Sequence, residues 1–124
     1  PGSHMMTFVR RLIESRPFTE RIPDQGLIAQ VDRESDTGHV LATRGADGGY
    51  AFVYTSHGFP VSVDMERLSG ESIRAAWFDP RSGVSEIIGE FPRQANRWFA
   101  PPKKGAGYDW VLILDDVARG FALP

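Results

Sequence analysis

The chain of 124 residues carries 14 lysines and arginines against 16 aspartates and glutamates, so its formal net charge is −2. Its basic residues are scattered, whereas nucleic-acid-binding domains gather them into a patch or stripe, and the composition therefore argues against nucleic acid as a partner. The absence of cysteine excludes disulfides and thiolate chemistry, and no apolar run approaches the roughly 20 residues that a membrane-spanning helix needs.

The N-terminal part of the chain predicts one short helix. Residues 1–5 have the sequence of an expression-tag remnant and are set aside, and residues 6–16 follow as a linker helix that ends at Arg16, because a residue that precedes proline leaves the α region. The apolar side chains on one face of this helix are Phe8, Val9, Leu12 and Ile13. Such a short helix needs a packing partner, so we expect this face to contact the edge of the fold or another domain.

Residues 17–25 are polar and rich in turn formers, which predicts a loop, and the rest of the chain has the pattern of short strands. The predicted strands are 27–32, 39–44, 50–55, 61–64, 73–79, 84–88, 97–99 and 109–115. Turn signals between them recur about every 8–12 residues, which is typical of a sandwich or barrel. The connections are too short for helical crossovers. The prediction for residues 17–124 is therefore an all-β antiparallel β-sandwich of about eight short strands, preceded by the one helix.

Two predicted strands have apolar residues on both faces. They are Tyr50–Tyr54 and Trp110–Leu114. A strand with one wet face alternates apolar and polar residues, so these two are expected to be central and covered on both sides. The helix, another domain or a partner could supply the second cover.

Catalytic signatures are weak in this sequence. Acidic residues are plentiful, as on any soluble surface, but their spacing singles out no pair of the kind that a glycosidase needs. His39 and His57 lack both a nucleophile elbow and a zinc-binding spacing. The sequence thus predicts no catalytic site, no cofactor and no metal site, although the adjacent Asp115 and Asp116 have oxygen ligands that suit Ca²⁺.

The candidate ligand-binding residues lie in a turn and in a loop. Residues 79–83 predict a hairpin turn, with Arg81 at its tip either paired with an acid, solvated or in contact with a ligand. Trp77 and Trp110 alternate with core residues, whereas Trp98 and Tyr108 flank the loop 100–107 and are the aromatic side chains expected to be exposed. The candidate ligand-binding residues are Arg81, Trp98, Lys103, Lys104 and Tyr108. Sugars and proline-rich chains both stack on flat aromatic surfaces; the alternative is that these rings only anchor the loop.

The order of several segments resembles a known family. The segments are Arg16-Pro17-Phe18, Pro23-Asp24-Gln25, Gly49-Tyr50-Ala51-Phe52-Val53-Tyr54, Ala76-Trp77-Phe78-Asp79-Pro80-Arg81-Ser82-Gly83, Phe99-Ala100-Pro101-Pro102 and Asp109-Trp110-Val111-Leu112-Ile113-Leu114. They resemble the "putative collagen-binding domain of a collagenase", which commonly closes apiosidase-like glycoside hydrolases of bacteria. The resemblance implies a β-sandwich that follows a catalytic (β/α) barrel, with residues 6–16 as the end of the barrel's last helix. It also favours an extracellular or periplasmic location.

Three functions are compatible with the sequence. The first is a non-catalytic binding module for a collagen-like or polysaccharide ligand. The second is a structural companion of a catalytic barrel, in which case the apolar face of the helix is expected to be exposed in the isolated domain or buried in a dimer. The third, an independent hydrolase, requires facing carboxylates that the sequence does not indicate.

Overall fold

The computed structural model describes residues 2–16, 20–33, 38–105 and 107–124. In this part of the chain there are one α-helix and nine strands. They are α1 (Gly2–Glu14), β1 (Arg21–Pro23), β2 (Ile28–Val31), β3 (Val40–Gly45), β4 (Tyr50–Thr55), β5 (Val61–Val63), β6 (Ser72–Asp79), β7 (Val84–Pro92), β8 (Arg97–Phe99) and β9 (Trp110–Asp116). Short 3-10 helices cover Gln25–Leu27, Ser56–Gly58, Met65–Arg67 and Val117–Arg119. None of the described helices is long and apolar enough to cross a membrane.

The strands form two antiparallel sheets. One sheet has six strands in the order β1-β3-β4-β9-β6-β7, and the other has three strands in the order β2-β5-β8. A continuous apolar core joins them, with Leu27, Val61 and Val63 from the smaller sheet and its flank against Val53 and Leu112 of the larger one. The predicted antiparallel sandwich with one N-terminal helix is confirmed.

The central strands have apolar side chains on both faces, as predicted. Along β9, Trp110, Leu112 and Leu114 belong to the core between the sheets, whereas Val111 and Ile113 belong to a second apolar cluster on the outer face. This alternation follows from the two-residue period of a strand. The helix supplies part of the outer cover, so the fold has three layers: the small sheet, the large sheet and α1.

The expectation of a freely exposed helix face is wrong for Leu12. Its side chain is only 3% exposed, because it packs into the outer cluster with Phe52 and Val111. Phe8 is half-buried against the same cluster, whereas Ile13 is 37% exposed. The helix is therefore partly integrated into the domain, and it begins at Gly2, within the segment that the sequence alone marks as a tag remnant.

An ion pair fixes the end of the helix to the sheet. The buried Arg16 donates from Nε and Nη2 to the two carboxylate oxygens of Asp115 in β9, over 2.9 and 2.8 Å. Its Nη1 donates to the carbonyl oxygen of Ala122, and its guanidinium lies 4.8 Å from the ring centroid of Phe121. Arg74 adds a second ion pair to Asp115, over 2.7 Å. The C-terminal segment, the helix and two strands are thus joined at one carboxylate.

Most predicted strands agree with the structure to within one residue at each end, and two predictions differ by more. The prediction of a loop over residues 17–25 is wrong for β1, which pairs with β3 at the edge of the large sheet. Its polar composition hides it, and Pro23 is tolerated because it ends an edge strand. The predicted end of β7 at Ile88 is wrong as well, since the strand continues through Gly89 to Pro92 across a register shift against β6.

Candidate functional site

The turn between β6 and β7 adopts the predicted hairpin conformation. The carbonyl oxygen of Asp79 accepts a hydrogen bond of 2.7 Å from the amide of Gly83, and its carboxylate accepts one of 2.9 Å from the amide of Arg81. Gly83 has φ +75°, and a Cβ at this position would clash with the ring of Phe8 in α1. The helix therefore passes directly over the turn, and glycine is needed there for both conformation and space.

Arg81 pairs with an acid, which is one of the alternatives that the sequence left open. Its Nε and Nη2 donate to the carboxylate of Asp79 over 3.0 and 3.3 Å, and its Nη1 donates to the carbonyl oxygen of Gly107. Its guanidinium also lies 4.7 Å from the ring centroid of Tyr108. Burial raises the pKa of Asp79, but the hydrogen bonds from Arg81 outweigh it, so this pKa is lowered overall. Arg81 clamps the turn to the loop that precedes β9.

The lysines lie in this same loop, which is fixed by its backbone. The carbonyl oxygen of Lys103 accepts a hydrogen bond of 3.1 Å from the indole of Trp110. A Cβ at Gly58 would collide with that carbonyl, so the loop is packed closely against the 3-10 helix Ser56–Gly58. The side chains of Lys103 and Lys104 are exposed, and the Lys103 ammonium lies 5.9 Å from the ring centroid of Tyr108.

Trp98 lies elsewhere, beside an open groove. The side chain is 49% exposed on β8, an edge strand of the small sheet, so the expectation of an exposed aromatic residue at this position is confirmed. The same expectation is wrong for Tyr108, which is half-buried. The groove has a volume of about 370 Å³. It lies between β7, at the edge of the large sheet, and residues 97–102, which include β8 at the edge of the small sheet. We call it the Trp98 groove; its lining includes Glu86, Ile87, Ile88, Arg97, Trp98 and Pro102.

The predicted ligand-binding residues therefore lie in two places. Trp98 lines the groove, whereas Arg81, Lys103 and Tyr108 meet around the loop that precedes β9. Sequence reasoning missed the contribution of β7, because its exposed Ile87 and its Glu86 read as ordinary strand residues. Their place beside Trp98 depends on how the edges of the two sheets align.

A second groove separates α1 from the outer face of the large sheet. We call it the helix groove; it has a volume of about 640 Å³ and an almost wholly apolar lining. The lining includes Val9, Ile13, Leu41, Phe52, Pro80 and Val111. Leu41 is 57% exposed there. No segment of the sequence signals this groove, since its lining comes from six separate stretches of the chain.

A polar pair marks one side of the helix groove. The phenol of Tyr54 donates a hydrogen bond of 2.9 Å to the carboxylate of Asp109. Burial, together with this hydrogen bond and the negative charge of Asp109, raises the pKa of Tyr54 to about 12. The phenol therefore stays protonated at neutral pH, and the pair acts as a fixed hydrogen bond between β4 and the start of β9.

The adjacent aspartates at the end of β9 have protein partners. Asp115 is bound by two arginines, and Asp116 accepts hydrogen bonds from the Ser69 hydroxyl over 2.7 Å and from the Ala118 amide over 3.0 Å. Within the described residues, no group of three or more histidines, cysteines, aspartates and glutamates could hold a metal ion. Calcium at this position would have to displace these donors.

Comparison with known proteins gives a family match and two similar structures. Residues 22–115 match the family model described as "Putative collagen-binding domain of a collagenase". A solved structure described as a glycoside hydrolase is 34% identical over 95% of this chain, with a TM-score of 0.85. A glycoside hydrolase family 5 structure from Bacteroides vulgatus is 34% identical over 100% of this chain, with a TM-score of 0.87.

These matches cover nearly all of this chain but only a small part of each glycoside hydrolase. The chain covers only 26% and 28% of the lengths of the two glycoside hydrolases. The similarity thus spans this whole domain but about a quarter of each hydrolase chain. No curated protein matches this sequence.

Proposed function

The chain belongs to the family of the "putative collagen-binding domain of a collagenase". From this premise we propose that it is a non-catalytic accessory domain of a glycoside hydrolase-like protein and that the domain binds a polysaccharide through the Trp98 groove. The observation that carries the proposal is the exposed indole of Trp98 beside an open groove with both charged and apolar side chains. A sugar ring offers an apolar face to such an indole and hydroxyl groups to its polar neighbours. The similarity to two glycoside hydrolases supports a polysaccharide as the ligand.

The proposal that the domain is non-catalytic is supported by the ion pairs and hydrogen bonds that four of its aspartates form. Asp79 and Asp115 are held by arginines, Asp109 by the phenol of Tyr54, and Asp116 by a hydroxyl and an amide. Such carboxylates stabilise the fold and are not arranged as a facing acid and base across a cleft. Hydrolysis would then belong to a catalytic barrel elsewhere in the parent polypeptide.

Affinity electrophoresis against a panel of polysaccharides and collagen tests the proposal. We expect retardation by at least one polysaccharide, and we expect Trp98→Ala to weaken that binding by about tenfold or more, because a central aromatic contact is lost. Tyr108→Ala, in the other cluster, and Val84→Ala, an exposed residue of β7 outside the groove lining, serve as controls and should bind normally.

Three results would contradict the proposal. Retardation by none of the polysaccharides would remove the binding function. Binding to collagen alone would assign the peptide ligand that the family name suggests. Normal binding by the Trp98 variant together with loss in the Tyr108 variant would place the ligand at the loop instead.

A second function is favoured by the helix groove. Its apolar surface, with Leu41 and Ile13 exposed, is the kind of surface that proteins bury against another domain. In this alternative the domain is a structural companion that packs against the catalytic barrel through α1 and the outer face of the large sheet. Phe8, Val9 and Ile13 would contribute to that interface, whereas Leu12 is already buried within the domain itself.

A further inference from the structure

One arginine in the Trp98 groove lacks the hydrogen bonds that arginines usually form. The guanidinium of Arg97 lies 3.7 Å from the ring centroid of Phe91 and 5.9 Å from that of Phe99. Its Nε is buried and has no hydrogen-bond partner. Among the described residues its two terminal nitrogens also have no acceptor, although they are not fully buried, and Arg97 lines the groove.

The other arginines show how unusual this is. Among the described residues, the remaining buried or half-buried arginines all donate a hydrogen bond to a carboxylate, a hydroxyl or a carbonyl oxygen. They are Arg16, Arg21, Arg44, Arg74 and Arg81. Within the described residues the guanidinium of Arg97 lies over two aromatic rings and has no acceptor. Although Glu86 lines the same groove, the two form no ion pair. A positive charge with free donors is therefore held in place without an acceptor.

The stacking fixes the guanidinium in advance of any ligand. A planar guanidinium on a ring face loses little conformational freedom when a ligand binds. It presents paired N–H donors whose spacing matches the two oxygens of a carboxylate. An anionic group that reaches the groove would satisfy donors that the protein leaves unused. Because such hydrogen bonds are charge-assisted, they are roughly twice as strong as neutral ones.

We propose that the Trp98 groove selects an acidic polysaccharide, in which the carboxylate of a uronic acid unit pairs with Arg97 while a sugar ring stacks on Trp98. Glu86 provides an acceptor for sugar hydroxyl groups. This inference rests on the proposed function and specifies its ligand class. A uronate fits better than an acidic peptide, because the exposed indole of Trp98 and the carboxylate of Glu86 in the same groove both suit a sugar ring.

The test compares two forms of one polymer, one with ionised carboxylates and one in which methyl esters replace them. Binding of the intact chain to polygalacturonate and to its methyl ester is measured by isothermal titration calorimetry at fixed ionic strength. We expect the acidic form to bind about tenfold to a hundredfold more tightly than the ester. Arg97→Gln should remove this preference and leave the residual affinity for the ester. Arg10→Gln, which removes the same charge from the exposed face of α1, should keep the preference.

Each possible result decides one claim. Equal affinity for acid and ester in the unmodified chain overturns the acidic selectivity but leaves polysaccharide binding intact. A preference that survives in Arg97→Gln overturns the role of Arg97. Binding to neither form but to a neutral polysaccharide overturns the ligand class, and binding to no polysaccharide overturns the proposed function as well. If thermal unfolding shows that Arg97→Gln is unfolded, Arg97→Lys replaces it, because lysine keeps the charge but not the planar pair of N–H donors. A full preference for the acidic polymer in the Arg97→Lys variant would contradict bidentate pairing.

Discussion

At the level of single residues, ion pairs between aspartate and arginine are the main polar contacts that stabilise this fold. Asp24 illustrates the balance of forces: burial raises its pKa, but the hydrogen bond from Arg44 and the charge of Arg67 outweigh this and lower it. These contacts tie the segment before β2 to β3 and to the 3-10 helix Met65–Arg67. A carboxylate in such a position is structural, because its lone pairs are already used.

The pair between Arg16 and Asp115 is the most deeply buried of these contacts, and Asp115→Asn tests its importance. Side-chain exposure is 0% for Arg16 and 2% for Asp115. Removal of one partner leaves a buried charge uncompensated, so we expect a loss of about 3–5 kcal/mol in the free energy of unfolding. Urea denaturation measures it. Arg119→Gln breaks the exposed pair with Asp47 and should cost less than about 1 kcal/mol; equal losses in the two variants would refute the structural role of the buried pair.

The helix shows, at the scale of elements, why an amphipathic pattern does not name its partner. The apolar spacing in α1 correctly predicts a packing face, but that spacing is the same whether the partner is this sheet or another domain. The structure divides the face: Leu12 is buried against β4 and β9, and Ile13 remains at the helix groove. Likewise β1 was missed because edge strands need little apolar content, and the end of β7 because glycine usually interrupts a strand.

This division of the helix face predicts unequal effects for two neighbouring residues. Leu12→Ala should lower the free energy of unfolding by about 2–4 kcal/mol, because it leaves a cavity in the outer cluster. Ile13→Ala should change it by less than about 1 kcal/mol in the isolated domain, because that side chain is partly in solvent. Chemical denaturation of the two variants side by side checks this. Similar losses would mean that α1 buries both side chains or neither.

The molecule as a whole presents two different grooves on opposite sides of its large sheet. The Trp98 groove opens at the mouth of the sandwich and combines charged groups with an indole, as a ligand site does. The helix groove is larger and almost wholly apolar. The two proposed functions therefore need not compete, since one surface could contact a barrel while the other holds a polysaccharide.

The domain-packing function predicts a change in cooperativity in the parent polypeptide. Replacement of Leu41 by lysine in the helix groove should split one calorimetric unfolding transition into two, because a charge at the interface uncouples the domains. Val84→Lys changes a similarly exposed residue outside the groove and should leave a single transition. An unchanged transition in the Leu41 variant would show that the groove is not an interface.

The all-β class, most of the strands, the hairpin turn at residues 79–83 and the family can all be predicted from the sequence, because they depend on local periodicity, turn chemistry and the order of short motifs. The exposure of Trp98 was predicted as well. Three further properties became visible in the folded chain alone: Leu12 is buried, Arg81 is bound by Asp79, and Arg97 has no acceptor among the described residues. They could not be predicted because they depend on partners that are distant in the chain. Whether an arginine is satisfied depends on which strands meet beside it, and no local pattern contains that information.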